Sequence, residues 1–169
     1  MDVKLTKIIK TSNDSGEAVV SKVDYDILDH YKWHVKRDGY MYRNASTKEL
    51  RAGFPRSIAM HRQIKDFPNG LTVDHINGNK LDNRRSNLRV ATMAQNQGNS
   101  RKFKKASSVY KGVRFHSRDK VWQAHITKKG KQIHLGTFDT EEEAAMAYNE
   151  KAEEIFGDFA LLNNVERAI

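Results

Sequence analysis

The sequence contains no cysteine, only two prolines and no long apolar run. The lack of cysteine excludes a disulfide framework, a thiolate zinc site and a cysteine nucleophile. No segment approaches the roughly 18 apolar residues that a membrane span needs, so we expect no membrane partner. The first residues lack the apolar core of a signal peptide, and we therefore expect a cytoplasmic protein that works in a reducing compartment.

Basic charge, in contrast, is present in excess and is unevenly distributed. The 169 residues include 30 Lys and Arg against 21 Asp and Glu, which gives a formal charge of +9. Residues 61–109 carry a net +7 and residues 110–134 a net +6, whereas residues 135–169 carry −7. A uniform solubilising coat would not show this pattern. We therefore expect an anionic partner, with nucleic acid as the first choice, on a surface built from the middle of the chain.

The first 60 residues have the pattern of short strands punctuated by turns. Strands are predicted at residues 7–9, 18–20 and 33–35, and a short helix that bears His61 and Arg62 is predicted within residues 57–67. Aromatic side chains in this part are interpreted as core and cross-strand packing, with base stacking as the alternative; they are Tyr31, Trp33, Tyr40 and Tyr42.

Residues 71–99 predict a strand, a long turn, a second strand and a helix. The first strand ends at Asp74 and His75, and the sequence Asn77-Gly78-Asn79 is typical of a turn, since Asn and Gly tolerate positive φ. Residues 88–90 predict the returning strand. The spacing of Thr92 and Gln95 fits a capping box, so a helix is expected to begin near residue 93 and to carry Asn96 in its first turns.

The polar residues of this segment suit the hydrolysis of a phosphodiester. That reaction needs a general base to deprotonate water and a hard cation to stabilise negative charge. An imidazole titrates near neutral pH, so His75 suits the base. The carboxylate of Asp74 and the amide oxygen of Asn96 are ligands suited to Mg²⁺ or Mn²⁺. Neighbouring residues point to opposite faces of a regular strand, so Asp74 and His75 share one site only if the strand ends or twists there.

The segment resembles the HNH endonuclease family, and most of all its phage and intron-borne homing endonucleases. The resemblance is carried by Asp74-His75, Gly78-Asn79, Asp82-Asn83-Arg84, Asn87-Leu88-Arg89, Thr92 and Asn96. It implies a ββα-metal finger in which His75 is the general base and Asp74 and Asn96 hold one divalent cation. It also implies a catalytic role for Asn87, which would hold the turn and orient the base. Asn96 replaces the final His of the His-Asn-His motif for which the family is named, and homing members commonly have Asn at this position.

Other residues of the segment have two interpretations. Arg84, Arg85 and Arg89 are either surface charge or phosphate contacts, and we favour phosphate contacts. His61 and Arg62 either lie on a helix surface or support the site and contact DNA. Residues 82–83 are interpreted as turn formers rather than ligands. Many HNH proteins hold a structural zinc with paired cysteines, so no structural zinc is expected in a chain without cysteine.

Residues 108–163 predict a second module of three short strands and one helix. Strands are expected at residues 112–115, 121–127 and 131–138. Alternation in the second strand buries Trp122, Ala124 and Ile126 and leaves the other face available. Thr140 and Glu143 predict a capping box for a helix that ends near residue 157. The acidic charge therefore lies on the helix and the basic charge on the sheet, which is suited to the DNA major groove.

This module resembles the plant ethylene-response-factor and apetala DNA-binding domain. The resemblance is carried by residues 110–114, 122–126, 135–138, 144–145, Tyr148 and residues 162–163. It implies that a set of positions on the sheet contacts DNA, namely Lys111, Gly112, Arg114, His116, His125, Thr127, Gln132 and His134. Several Arg and Trp positions of the family are replaced here, for example at Thr127 and His134, so the target of the plant proteins is not implied.

The sequence therefore predicts an α+β protein with an HNH nuclease domain at residues 1–98, β-rich over 1–56 with the finger at about 57–98. A basic linker is predicted at 99–108, and a three-stranded antiparallel sheet packed on one helix at 109–169. The expected function is site-specific, homing-type cleavage of double-stranded DNA with Mg²⁺ or Mn²⁺, and a monomer is sufficient for nicking. Two alternatives remain open: a DNA-binding regulator with a decayed finger, and a nuclease of RNA or of nonspecific DNA.

Overall fold

A computed structural model describes residues 5–12, 16–99 and 107–165. The fold is of the mixed α+β class, with several small antiparallel sheets and a C-terminal helix. The chain divides into two compact units, residues Met1–Thr92 and Met93–Ile169. Most of the predicted linker lies outside the described residues, and the predicted domain boundaries stay a prediction.

The first unit contains three small sheets and three short helices. Its strands are β1 (Thr6–Lys10), β2 (Glu17–Ser21), β3 (His34–Val35), β4 (Met41–Asn44), β5 (Ser57–Ala59), β6 (Thr72–His75), β7 (Asp82–Asn83) and β8 (Leu88–Ala91). Its helices are α1 (Lys22–Leu28), α2 (Thr47–Arg51) and α3 (Met60–Ile64). β2 lies between β1 and β7, β4 lies between β3 and β5, and β6 pairs with β8. Only the β2–β7 pairing is parallel among these ladders.

Trp33 is central to the core of this unit. Its side chain has no exposed surface, and its indole N–H donates to the carbonyl oxygen of Leu28 at 2.8 Å. The sheets and helices pack on it through one cluster of buried side chains, namely Ile9, Ala18, Val20, Leu28, Met41, Met60, Ile64, Val73 and Leu88. Trp33 is therefore a core residue, and this cluster fixes the β6–β8 hairpin to the rest of the unit.

The structure contains two helices that the strand pattern of residues 1–60 did not predict. α2 begins after Ser46, whose hydroxyl accepts from the Glu49 N–H while the Glu49 carboxylate accepts from the Ser46 N–H. This capping box was readable as a Ser followed three residues later by Glu. α1 begins after Ser21, with Asp24 three residues later as in a capping box, but the Ser21 hydroxyl accepts from the Arg85 N–H and does not cap the helix. The helix predicted within residues 57–67 is α3, and it is preceded by strand β5.

The second unit contains α4 (Met93–Gly98), a three-stranded antiparallel sheet and α5 (Glu141–Phe156). The sheet has the order β11-β10-β9, formed by Val113–His116 (β9), Val121–Lys128 (β10) and Lys131–Phe138 (β11). A bulge interrupts the β10–β11 register between Ala124 and His125. The predicted capping box of Thr140 and Glu143 is present at the start of α5.

The helix α5 covers one face of this sheet with small residues and a few large ones. Ala124 and Ile126 of β10 are buried as predicted, and Trp122 is partly buried with its ring 5.0 Å from that of Phe115. The helix contributes Ala144, Ala145, Tyr148, Ala152 and Phe156. The opposite face of the sheet carries no such cover within the second unit, because the strand alternation sends polar side chains there.

Across the part of the chain that the structure describes, no helix is long and apolar enough to cross a membrane.

Candidate active site and sheet surface

The β6–β8 hairpin places Asp74 and His75 at the end of a strand. β6 and β8 are antiparallel, with Asp74 opposite Arg89 and His75 opposite Leu88. The chain turns directly after His75, whose carbonyl oxygen accepts from the Gly78 N–H at 2.8 Å. Gly78 has φ of +67°, a conformation that glycine adopts without steric cost. The strand therefore ends at His75, the predicted base. This end of the strand is the condition under which the neighbouring residues Asp74 and His75 can share one site.

Asn87 ties together the loop that follows this strand. Its amide oxygen accepts from the Asn77 N–H at 3.0 Å, and its amide nitrogen donates to the Asn77 amide oxygen at 3.0 Å. The same nitrogen donates to the carbonyl oxygen of Asp82 at 2.7 Å. Asn87 is buried, so these bonds are shielded from water. The side chain is therefore in a position to hold the turn, which is the geometry that its predicted role requires.

His75 is buried, and Asn83 fixes which ring nitrogen carries its proton. Nε2 of His75 lies 3.3 Å from the amide oxygen of Asn83. The amide nitrogen of Asn83 donates to the carbonyl oxygen of Lys80 at 3.3 Å, and a carbonyl can only accept. The Asn83 oxygen must therefore face His75, so Nε2 carries the proton and Nδ1 carries the lone pair of the neutral ring. Sequence reasoning had treated Asn83 as a turn former and missed this contact.

The imidazole of His75 is neutral near pH 7. Burial lowers the pKa of His75 below its ordinary value of 6.5 and outweighs the opposite effects of the Asn83 contact and of the carboxylates of Asp74 and Asp82. A neutral ring with its lone pair on Nδ1 is the form that accepts a proton.

Two further rings, those of Tyr40 and His61, pack around His75. The ring centres of His61 and Tyr40 lie 5.2 and 5.7 Å from that of His75, and 4.9 Å from each other. Burial, followed by the neighbouring His75 and Arg62, lowers the pKa of His61 to about 3. Nδ1 of His61 is buried and has no hydrogen-bond partner among the described residues. Tyr40 was singled out only as an aromatic packing residue, because contacts between distant strands leave no signal in spacing.

Asp74 is buried and forms an ion pair with Arg89. Nε and Nη2 of Arg89 each lie 2.9 Å from the same carboxylate oxygen, Oδ2. Arg89 is itself largely buried, at 17% side-chain exposure. Arg89 was predicted to contact phosphate; the structure places its guanidinium against Asp74, where it fixes the orientation of the carboxylate.

Arg84 and Arg85 were also predicted to contact phosphate, and each forms an ion pair with an Asp side chain. Arg84 donates from Nε and Nη2 to the two carboxylate oxygens of Asp82, at 2.7 and 2.6 Å. These bonds, opposed by burial, lower the pKa of Asp82. Arg85 donates to Asp24 at 2.7–3.0 Å. Their guanidinium groups retain 31% and 48% exposure, so contact with DNA phosphate stays a prediction for both.

Arg62 and Asn96 complete the predicted residues of this segment. Nη1 and Nη2 of Arg62 donate to the carbonyl oxygens of Leu71 and Pro68, at 2.9 and 3.1 Å. Arg62 therefore fastens the loop that leads into β6. Asn96 lies on α4 in the second unit and is half-buried. Its role as a metal ligand stays a prediction.

In the second unit, the register of the three strands brings most of the predicted DNA contacts to one face. Arg114 is opposite Gln123, His125 is opposite His134, and Thr127 is opposite Gln132. Because Ala124 and Ile126 point inward, these pairs share the uncovered face. We call this set the sheet face, and it comprises Arg114, Gln123, His125, Thr127, Gln132, His134 and Thr137. Sequence reasoning did not include Gln123 or Thr137.

Three predicted DNA contacts of the second unit have other neighbours. His116 lies 3.1 Å from Asp119 and pairs with it when protonated. The ammonium group of Lys111 donates to the carbonyl oxygen of Gly98. Gly112 has φ of +77°, and a Cβ there would lie 2.0 Å from the ring of Tyr148, so the position requires glycine for close packing. DNA contact stays a prediction for all three.

Two histidines form a hydrogen-bonded pair on the sheet face. Nδ1 of His134 lies 3.2 Å from Nε2 of His125, and the ring centres are 4.8 Å apart. Burial lowers the pKa of His125, and the positive charge of Arg114 and the ring of His134 add to the effect. The pair directly follows the bulge in β10, and on the same face Nε of Arg114 donates to Oε1 of Gln123 at 3.0 Å.

Comparisons with known proteins agree with both halves of this description. A sequence model of the HNH endonuclease family matches residues 66–97, and one of the AP2 domain matches residues 108–158. An uncharacterised HNH endonuclease of Acanthamoeba polyphaga mimivirus is 38% identical over 149 residues, which cover 88% of this chain and 75% of that protein. The chain belongs to the HNH endonuclease family and carries an AP2 domain in its C-terminal part.

Two further relatives each match one part of the chain. Protein 3.8 of Escherichia phage T7 is 33% identical over 94 residues, which cover 56% of this chain and 77% of that protein. An AP2-like ethylene-responsive transcription factor of Arabidopsis thaliana is 46% identical over 59 residues, which cover 35% of this chain and 12% of that protein. No solved structure was found to match this chain. Both domains imply DNA binding, and the family indicates a nuclease.

Proposed function

We propose that this protein is a site-specific, homing-type endonuclease that hydrolyses a phosphodiester of double-stranded DNA and nicks one strand as a monomer. One observation carries the proposal: a buried His75, with its proton fixed on Nε2 by Asn83, lies beside Asp74 at the end of β6 in the HNH segment. One such segment per chain provides one base, so one strand is cut at each visit.

In the proposed reaction, His75 acts through Nδ1. The lone pair of Nδ1 takes a proton from water, and the resulting hydroxide attacks the phosphorus. The P–O bond to the leaving sugar oxygen breaks, and that oxygen takes a proton from solvent water. Asn83 keeps the proton of the neutral ring on Nε2, so the accepting nitrogen does not change. Asn87 fixes the turn after β6 and thereby the direction of the His75 ring. Arg89 holds the carboxylate of Asp74 in one orientation beside the base.

Asp74 and Asn96 form the proposed cation site. HNH nucleases commonly use a divalent metal, and a buried carboxylate with an amide oxygen is a hard donor set that fits Mg²⁺ or Mn²⁺. When bound, such an ion supplies charge stabilisation to the phosphate and to the leaving oxygen. In the chain segments that the structure describes, no group of three or more His, Cys, Asp or Glu could hold a metal. In the proposed site, water and DNA phosphate supply the remaining ligands.

The AP2 domain, which plant transcription factors also carry, favours the second candidate, a DNA-binding regulator with a decayed site. The two functions differ in a plasmid assay with purified protein, Mg²⁺ or a chelator. The endonuclease converts supercoiled plasmid to the relaxed form with Mg²⁺ and only binds it in chelator. A regulator binds in both conditions and leaves the plasmid supercoiled. Equal cleavage of RNA would instead indicate the third alternative, a nuclease without DNA specificity.

The pH dependence of cleavage tests the assignment of the base. We expect activity to be retained down to pH about 6.5 and lost below it, because the pKa of His75 is lowered and protonation removes the lone pair. Asn83→Asp places a carboxylate against Nε2, which raises the pKa of His75, so the loss should begin at higher pH. Asn44→Asp adds a carboxylate at an exposed end of β4 and should leave the profile unchanged. Identical profiles for the three proteins would contradict the role of His75.

The histidine pair on the sheet face predicts that DNA affinity rises in acid. The pKa of His125 is lowered by burial, so this side chain adds positive charge to the face only below its ordinary pKa of 6.5. Affinity measured in chelator should therefore change little between pH 8 and pH 6.5 and rise a few-fold below that, with a steeper salt dependence. The double variant His125→Gln, His134→Gln should lose most of this rise. His30→Gln, which removes an exposed histidine in the first unit, should keep it. An unchanged rise in the double variant would show that the sheet face does not contact DNA.

A further inference from the structure

The C-terminal end of α4 is packed against the AP2 domain within the second unit. Gly98 is buried, and a Cβ at this position would lie 2.6 Å from Cγ of Phe156, at the end of α5. The ring of Phe156 therefore lies directly on the backbone of Gly98. The carbonyl oxygen of Gly98 accepts from the Leu161 N–H at 3.1 Å and from Nζ of Lys111 at 2.5 Å. We call these interactions the Gly98 contact.

Lys111 is held in place for this contact. The backbone N–H of Lys111 donates to the amide oxygen of Asn163 at 2.6 Å, and the amide nitrogen of Asn163 donates to the backbone carbonyl oxygen of Lys111 at 3.0 Å. Asn149 of α5 in turn bonds both the N–H and the carbonyl oxygen of Asn163, at 2.7 and 2.9 Å. Burial lowers the pKa of Lys111 to about 8. The ammonium group is therefore partly shielded from water and donates to the carbonyl oxygen of Gly98.

Helix α4 needs such support because it is short. A helix of six residues is not stable by itself in water. The free-energy cost of forming the first turn is larger than the gain from the few hydrogen bonds of such a short helix. Met93 is 79% exposed and the next residue is also exposed, so burial on α4 is concentrated at its C-terminal end. The Gly98 contact is therefore a main source of order for the helix that carries Asn96.

We propose that the AP2 domain, besides binding DNA, acts through the Gly98 contact as the positioning element for helix α4 and hence for Asn96. The inference rests on the proposed function, in which Asn96 is a ligand of the divalent cation. It assigns Gly98, Lys111 and Phe156 as positioning residues of the nuclease. It also gives the partly buried Lys111 a role at Gly98 that is independent of its predicted contact with DNA.

The variant Gly98→Ala tests the proposal, because an autonomous α4 and an α4 ordered by the Gly98 contact predict opposite changes in the stability of this helix. If α4 were autonomous, Ala would stabilise it, because Ala is a better helix former than Gly. If the Gly98 contact orders α4, the added Cβ clashes with Phe156 and loosens the helix. We expect faster hydrogen exchange in residues 93–98 and a roughly tenfold higher Mg²⁺ concentration for half-maximal cleavage. DNA affinity measured in chelator should stay within about twofold.

Lys111→Met is the second variant, because it removes one hydrogen bond to Gly98 and adds no atom against Phe156. Lys111→Met should also give faster hydrogen exchange in residues 93–98 and a higher Mg²⁺ concentration for half-maximal cleavage. This variant keeps the test possible if Gly98→Ala fails to fold. Lys151→Met is the matched control: this lysine pairs with Glu154 on the exposed side of α5 and should behave as the wild type. Unchanged or slower exchange at residues 93–98 in both variants would overturn the proposal. Loss of DNA binding in parallel with cleavage would also overturn it, since that indicates a role in domain stability alone.

The hydrogen-exchange measurement keeps this inference separate from the proposed function. If the wild type shows no Mg²⁺-dependent cleavage, the proposed function fails, and exchange in the two variants still decides whether the Gly98 contact orders α4. If the wild type cleaves and the variants keep their exchange and Mg²⁺ requirement, only the positioning role fails.

Discussion

Replacement of His75 by alanine should lower the rate of DNA cleavage by roughly a thousandfold or more. The variant loses the imidazole whose Nδ1 lone pair takes the proton from water, and no other described side chain of the site can replace it. His61 is 5.2 Å away between ring centres, but burial lowers its pKa to about 3, so it is a weak base. The measurement is single-turnover cleavage of plasmid with Mg²⁺.

DNA binding separates this effect from unfolding. Affinity in chelator should stay within a few-fold of the wild type, because His75 is buried and contributes little to the surface that meets phosphate. His34→Ala is a matched control, since this histidine lies in β3 outside the Tyr40–His61–His75 cluster, and it should retain activity. Full activity of His75→Ala with Mg²⁺ would disprove the assignment of the base.

Replacement of Asp74 by asparagine should lower cleavage by roughly a hundredfold or more at limiting Mg²⁺. The change keeps the shape of the side chain but removes its negative charge, which is the larger part of its attraction for a divalent cation. It also breaks the ion pair with Arg89, so some stability is lost. The measurement is the cleavage rate as a function of Mg²⁺ concentration, and partial recovery is expected at high concentration.

Asp24→Asn controls for the lost ion pair. Asp24 is as buried as Asp74 and accepts from Arg85 at 2.7–3.0 Å, but it lies on α1 and not at the end of β6. This variant should lose stability while its Mg²⁺ requirement stays that of the wild type. If the two variants show the same cleavage defect at equal folded fraction, Asp74 is a structural residue and not a ligand.

Local signals account for what the sequence predicted of the fold. The strands at Asp74 and Leu88 follow from short apolar runs around a strong turn, and α5 follows from its capping box and the spacing of Ala144, Tyr148 and Ala152. α1 was missed because it is only seven residues long and follows β2 without a break. The parallel pairing of β7 with β2 was missed because it joins residues about 60 positions apart.

The sequence predicted which residues form the candidate site, but it did not predict the contacts between them. His75, Asp74 and Asn87 follow from the motif, and the structure places Asn87 on the turn after His75. The motif did not show that Asn83 faces Nε2 of His75, because both are polar residues in a loop-rich segment. Arg85 illustrates the same limit: its partner Asp24 is 61 residues away, so the sequence did not indicate this ion pair and favoured a phosphate contact instead.

The most direct test of the central claim is to map the ends produced by the purified protein on phage DNA of mixed sequence, with Mg²⁺ and with chelator. A site-specific, metal-dependent endonuclease predicts ends that accumulate at one position, on one strand, only with Mg²⁺, and that disappear with His75→Ala. Ends scattered over the whole DNA would contradict site specificity. The absence of Mg²⁺-dependent ends, with DNA binding intact, would contradict the proposal that this protein is a nuclease.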